Sequence, residues 1–404
     1  MIFNTWVFAA FAIASLLVCW TSPVRFRSAA LIGCGLVFYA YAYPPYLLLI
    51  IVLASVTYAL AKVIVSCRRH ERMNGAKWAL VAGVAASVGV LGFYKYSTLF
   101  VQTIDQLSRG KLTLSPPHVL IPLAISFFTF EFVHYLVDVY LGKIDDFSVR
   151  DFATFAFFYP TLIAGPIKRF QNFAPQIGHT RTLNQLFIAA NVFRVILGLA
   201  KKSIIADSMT PFVQPLLMPG VPYHTADYWI AMLAYTAKIY FDFTGYSDIA
   251  IGMAALLGFQ ILENFDRPYW SPNISQFWRR WHISLSSWIR DYIFIPLGGS
   301  HRGPLMTFFN LAFVMAVAGL WHGASWHFVA WGLWHGGGLA AHRAWSVTLG
   351  KKALLQNGGA LVHAVSVFVT FAFVAFGWIL FAAPSFGAAW DVVRGMFTPA
   401  VIHL

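Results

Sequence analysis

The chain has 404 residues, of which 59% are apolar and 11% charged, with a formal net charge of +13. Soluble proteins average about 45–50% apolar and about 25% charged, so a mean hydropathy of +0.67 excludes an ordinary water-soluble domain and identifies an integral membrane protein. The basic residues are spread over loops that flank apolar segments, where anionic lipid headgroups attract them. Membrane lipids are therefore the implied partner, and nucleic acid is not.

Apolar segments approaching the roughly 17–25 residues that cross a bilayer recur near 3–21, 29–43, 46–66, 78–100, 118–140, 152–167, 185–200, 226–257, 306–321, 325–342 and 360–383. Several are short or interrupted, which gives about eight to eleven spans. No basic region leads the first segment and no small-x-small site follows it, so it reads as a span rather than a cleavable signal. Arg25 and Arg27 follow the first span, and Arg68, Arg69, Arg72 and Lys77 follow the third. Under the positive-inside rule both loops are cytoplasmic and the N-terminus is extracytoplasmic. Cys19, Cys34 and Cys67 show no paired spacing in sequence and read as structural thiols.

The first four spans contain no polar residue that demands explanation. From residue 118 onward the texture changes. Glu131, His134 and Asp138 form a polar stripe at i, i+3 and i+7, suited either to a water-filled cavity or to cross-linking neighbouring helices. Asp242 and Asp248 sit six apart in a Gly-containing apolar segment, where they could coordinate a cation, relay protons or satisfy backbone at a broken helix. The stretch 264–304 is the most structured of the polar regions. Asn273 is placed to cap a helix, with Gln276 three residues on. Ile274, Phe277, Trp278, Trp281, Leu285, Trp288 and Tyr292 recur at helical spacing. The spacing predicts one amphipathic interfacial helix with Arg279, His282, Ser286 and Arg290 on its polar face.

The tripeptide Trp-His-Gly occurs twice, at 321–323 and 334–336. His322 lies at or just beyond the end of an apolar segment, and Gly323 allows a break or a close approach. A neutral imidazole can take a proton from a hydroxyl and return it to a leaving group, which suits acyl or phosphoryl transfer. No G-x-S-x-G elbow and no cysteine beside a histidine supplies a protein nucleophile. A hydroxyl acceptor attacking a bound acyl donor needs only a base and a polarising group, for which Asn310 or a Trp indole is available. On one continuous helix the thirteen positions from His322 to His335 turn about 220°. Both imidazoles could not then face one cavity, and the residues alone do not choose between them. No H-E-x-x-H, clustered His/Asp/Glu or cysteine pair suggests a metal site.

Several stretches resemble the membrane-bound O-acyltransferase family, in particular its bacterial branch acting on extracytoplasmic polymers such as alginate, cellulose and peptidoglycan. The carrying residues are Asn264-Phe265-Asp266-Arg267-Pro268-Tyr269, the run Phe277 to Tyr292, Ile295-Pro296-Leu297-Gly298-Gly299 and Gly319-Leu320-Trp321-His322-Gly323. Phe93-Tyr94-Lys95-Tyr96, Pro160 to Ile167 and Asp242 to Asp248 add to them, so that the resemblance covers roughly residues 90–345. It implies an all-α polytopic fold: a ring of tilted transmembrane helices around a central tunnel, with interfacial or re-entrant helices. On this reading 1–404 is a single integral membrane domain, with lipid-facing helices over 1–100, a catalytic core over 118–345 and a final transmembrane helix over 360–383. The resemblance selects His322 as the catalytic histidine and His282 as the second signature histidine. Trp281, Arg279, Arg280, Asn310, Trp321 and Asp242 are carried as substrate- or tunnel-lining candidates.

The implied activity is acyl transfer in the cytoplasmic membrane, with no permanently bound cofactor. An acyl group, acetyl in the polysaccharide branch, passes from a cytoplasmic thioester such as acetyl-CoA to a hydroxyl of an extracytoplasmic polysaccharide or of a partner carrier. A hydrolase-like extracytoplasmic acetyltransferase is the implied protein partner. The rival from another class is a transporter or flippase without chemistry, supported by Asp242, Asp248 and Glu131 as proton-relay candidates; an inactive scaffold is a third reading.

Overall fold

Among the described residues, which are 3–41, 44–109, 111, 115–117, 119–178, 184–218, 221, 223–348 and 359–398, every regular element of the computed structural model is a helix. Parts of the polar stretches 102–117 and 168–184 lie outside the described residues. Four helical segments among the described residues are long and apolar enough to cross a membrane: Pro44–Arg69, Met73–Leu107, Pro304–His322 and Gly359–Ala382. The chain is an all-α membrane protein.

It divides into two compact units: Met1–Leu199 with Tyr246–Leu262, and Ala200–Gly245 with Glu263–Leu404. The first contains α1 (Trp6–Thr21), α2 (Val24–Ala40), α3 (Pro44–Arg69), α4 (Met73–Leu91), α5 (Ser97–Leu107), α6 (Ile125–Tyr140), α7 (Val149–Ala156) and α8 (Gln185–Ala200). A wide turn at Gly92–Tyr96 carries α4 into α5 without ending the helical path. Ile50, Leu53, Phe128, Phe132, Tyr135, Phe155 and Phe170 are buried in the core of this unit. Leu48, Trp78 and Phe100 stay exposed on α3 to α5, as bilayer-facing side chains do, because hydrocarbon solvates them as well as a protein core does.

The expected span over 152–167 is not formed. Helix α7 stops at Ala156, a single turn follows at Tyr159–Thr161, and no helix resumes before Phe170. Pro160 and Pro166 each lack the N–H that an interior helical position needs. The Glu131 stripe cross-links elements of this unit. Lys168 Nζ donates to both oxygens of the buried Glu131 carboxylate, at 2.6 and 2.8 Å, and lies 4.6 Å from the Phe155 ring centroid. His134 Nδ1 is 3.0 Å from Phe130 O, and Lys143 pairs with Asp138 at 2.9 Å.

The long α9 (Thr225–Leu256) carries residues of both units. The second unit continues with α10 (Ile274–Arg280), α11 (Ile283–Ile289), α12 (Pro304–His322), α13 (Trp326–Thr348), α14 (Gly359–Ala382) and α15 (Phe386–Phe397). Helices α12 and α13 form a tight antiparallel hairpin. A methyl group at Gly319 would collide with Phe328 O, one at Gly332 with Met315 O, and one at Gly336 would sit 2.9 Å from Ala312 Cα. The small residues let the two backbones touch.

Candidate active site

The expected single helix over 274–292 is two helices. Asn273 does cap α10, its Oδ1 accepting from Gln276 N at 2.8 Å. The helix then ends at Arg280, and His282 adopts φ +44°, ψ 55° before α11 begins. This left-handed conformation is rare for a residue with a side chain. Consequently His282 is not on a polar surface face; it is 1% exposed. The break is made by a residue eighteen positions earlier. Asn264 O accepts from Ile283 N at 2.9 Å, and Asp266 N donates to Arg280 O at 3.0 Å. Asn264 Oδ1 receives three groups: Ser284 N at 3.2 Å, Ser284 Oγ at 2.9 Å and His282 Nδ1 at 3.2 Å. Tertiary hydrogen bonds thus override the local apolar periodicity.

His322 is the last residue of α12. Gly323 follows in extended conformation, and a side chain there would strike the Phe328 ring. The half-buried His322 ring lies 4.8 Å from that of Trp321, 5.2 Å from Trp331 and 5.1 Å from Phe381. The His282 ring is 5.9 Å from Trp321 and 4.6 Å from Phe243. Trp321 therefore touches both signature histidines. Burial pushes the His282 imidazole well below the ordinary histidine range, and nearby His322 adds to the effect, because a charged ring there would lose its hydration. His282 Nε2 has no hydrogen-bond partner among the described residues.

His335 was separated from His322 on the premise of one continuous helix. The break after His322 removes that premise, and both rings contact Trp331, His335 at 5.0 Å. Their surroundings still differ. His335 is 0% exposed, in the middle of α13, against Trp278, Phe277 and Phe373. Neither of its ring nitrogens has a partner among the described residues.

The other candidates separate into groups. Trp281 is buried in an aromatic cluster with Phe265, Tyr269, Phe277 and Trp378, and packs there rather than against either signature histidine. Arg279 is exposed and Arg280 half-buried at the end of α10, where cations favour the helix dipole. Asn310 is buried, but its amide nitrogen donates to Gly299 O at 3.1 Å and reaches Leu297 O at 3.5 Å. It ties down the Gly298-Gly299 turn, and that N–H group is committed. Asp242 pairs with Lys202 at 2.8 Å, and Lys202 also pairs with Asp207 at 2.6 Å. Asp248, in the other unit, pairs with Arg194 at 3.0 Å. The two aspartates of the 242–248 motif thus have separate basic partners within an unbroken helix. No group of three or more His, Cys, Asp or Glu side chains suited to a metal is present among the described residues.

No role for Asn264 is visible in the sequence, and Trp331 is expected there only as one of the tryptophans that bury His322. Asn264 opens a polar stretch, but its function depends on a contact across eighteen positions that no local pattern encodes. Trp331 is one aromatic among many; its 0% exposure, its indole N–H without a partner among the described residues and its place beside His322 single it out.

The sequence matches the membrane-bound O-acyltransferase family over residues 7–385. It is 38% identical over 383 residues to a probable alginate O-acetylase of Azotobacter vinelandii, covering 93% of this chain and 74% of that protein. A peptidoglycan O-acetyltransferase of Helicobacter pylori is 34% identical over 344 residues, covering 78% of this chain and 64% of the relative. A teichoic acid D-alanyltransferase of Streptococcus thermophilus is 28% identical over 341 residues, covering 78% of each.

Proposed function

Because this chain belongs to the membrane-bound O-acyltransferase family, we propose that it is the O-acyltransferase that moves an acetyl group from cytoplasmic acetyl-CoA to a hydroxyl of an extracytoplasmic polysaccharide, directly or through a carrier. The acetyl and polysaccharide assignments follow the more similar relatives, named for O-acetylation of alginate and peptidoglycan, over the less similar D-alanyltransferase. The cytoplasmic membrane, with the N-terminus outside, is the location that the Arg/Lys loops favour. Where the group travels through a carrier, a hydrolase-like extracytoplasmic acetyltransferase completes the transfer on polymer.

The observation that carries the chemistry is the placement of His322 and His282 around Trp321, among aromatic rings that exclude water. His322 takes the proton of the acceptor hydroxyl as its oxygen attacks the thioester carbonyl carbon. A C–O bond forms, the C–S bond breaks, and the thiolate takes the proton from His322, so thioester and alcohol become ester and thiol. A positioned base of this kind contributes about 100- to 10,000-fold. With Asn310 engaged elsewhere, the oxyanion donor is the indole N–H of Trp331. Arg279 and Arg280 attract the donor's phosphates, which bind guanidinium groups in bidentate fashion.

The test uses purified protein in liposomes, labelled acetyl-CoA and a polysaccharide acceptor. Acceptor-dependent acetyl transfer is expected, and its loss in folded His322→Ala. Transfer by that variant at the wild-type rate would remove His322 from the chemistry. Polymer acetylation that persists in cells with both His282 and His322 replaced would point to a scaffold that recruits another transferase.

A further inference from the structure

Asn264 has no role in the acyl-transfer steps above, yet it is 1% exposed and its amide oxygen lies against Ser284 N, Ser284 Oγ and His282 Nδ1 in the His282 turn. The identity of its contacting atom is fixed by chemistry. The backbone N–H of Ser284 can only donate, so the amide atom facing it must be the oxygen and not the nitrogen of a flipped side chain. The same oxygen, with no hydrogen of its own, faces His282 Nδ1 at 3.2 Å. A hydrogen bond there requires the proton to sit on Nδ1; Ser284 Oγ, 3.5 Å from the same nitrogen, gives its own proton to Asn264 Oδ1 at the shorter distance of 2.9 Å.

We infer that Asn264 is a positioning residue that locks His282 as the Nδ1–H tautomer, leaving Nε2 as a bare acceptor in the acyl-transfer site. Two further observations agree. His282 Nε2 is buried without a partner among the described residues, which is the state of an acceptor reserved for a group that arrives with substrate. The left-handed backbone at His282 is held by the main chain of the same segment, through Ile283 N to Asn264 O and Asp266 N to Arg280 O. Strained backbone of this sort persists only where surrounding structure over-determines it, and it concentrates at functional sites. Asn264 thus sets both the ring's protonation and its orientation. Its own Nδ2 has no partner among the described residues. The titratable side chain acting on His282 from a neighbouring element is His322 of α12.

This inference rests on the proposed acyltransferase site, but its test does not require turnover. Full-length protein with 15N-labelled histidine is placed in lipid nanodiscs, and the His282 resonances are assigned from a His282→Gln sample. A protonated Nδ1 and an unprotonated Nε2 are expected near neutral pH. A proton on Nε2 would overturn the assignment, whatever the enzyme assay gives. Asn264→Leu, which removes the acceptor, is expected to lose the Nδ1–H signature and to lower kcat about 10- to 100-fold, by analogy with partners that orient metal-ligating imidazoles, with KM for the donor unchanged. Asn264→Asp keeps an acceptor oxygen and is expected to retain the signature and recover most of kcat. Wild-type kcat and tautomer in Asn264→Leu would sink the proposal, and so would loss of the signature in folded Asn264→Asp. Should Asn264→Leu not fold, the wild-type spectrum and the aspartate variant decide alone.

Discussion

The tripeptide Trp-His-Gly is printed twice in this chain, and the two copies do different things. In the first, the glycine ends α12, the Phe328 ring packs against it, and His322 is left half-buried at a helix terminus. In the second, Gly336 lies inside α13 against the backbone of Ala312, and His335 is sealed among aromatic rings. One glycine opens the chain and the other closes a helix interface. Identical neighbours in sequence therefore say little about an imidazole's access; its place in the hairpin decides that. Half-buried His322 keeps exposed surface, whereas His335 has none.

That contrast can be broken in graded steps. The largest effect is expected at the two histidines themselves. His322→Ala should lower the initial rate of acetyl transfer about 100- to 10,000-fold, while His335→Leu should keep activity within about threefold. Leucine replaces buried nitrogens that have no partner among the described residues by apolar atoms, a change that is near neutral or stabilising, so the thermal midpoint should hold or rise. Equal losses in the two variants would abolish the distinction.

Trp331 touches both rings and sharpens the comparison next. Trp331→Phe keeps most of the packing and removes the indole N–H. If that group steadies the oxyanion, kcat should fall about 100- to 1,000-fold with KM little changed. A loss confined to stability would reassign Trp331 to packing. Asn310 provides the opposite case. Asn310→Ala should destabilise by about 1–3 kcal/mol, because a buried carbonyl loses its donor, and kcat in the surviving folded protein should change by less than about threefold. A loss of kcat on the oxyanion-hole scale would reverse the assignment made from its contacts to Gly299 and Leu297.

The smallest effect concerns pH. Burial holds the His282 imidazole below the ordinary histidine range, so between that lowered value and about 6.5 the unfolded chain binds a proton that the native chain does not. Stability contributed by neutral His282 is therefore fully present above about pH 6.5 and declines as pH falls below it. Thermal unfolding at pH 7.5 and 5.5 should show the decline, and His282→Gln should reduce it. An unchanged slope in that variant would assign the dependence to other groups.

Much of this was legible from residue patterns. Membrane character follows from composition, the cap at Asn273 from its spacing to Gln276, and the helix end after His322 from Gly323. The family resemblance carries His322 and His282 as candidates, and the fold brings both rings to Trp321. What was hidden depended on contacts distant in sequence. The apolar stripe through Trp281 and Tyr292 fits one helix, yet hydrogen bonds from Asn264 turn the chain at His282. Asn310 looks like a free donor until the Gly298-Gly299 turn is seen against it. Glu131, Asp242 and Asp248 read either as relay or as structural groups in the sequence, and only the fold shows each paired with a basic residue, Lys168, Lys202 or Arg194. The 152–167 segment is apolar enough to span, and its prolines stop it.

The most direct test of His322 as the base is chemical rescue. His322→Gly removes the imidazole and leaves room for a free one, and acetyl transfer is measured with and without added imidazole alongside wild type and His335→Gly. The account expects a near-inactive His322→Gly whose rate rises with imidazole concentration, and no such response in the other two. Wild-type turnover by His322→Gly, or rescue confined to His335→Gly, would contradict it.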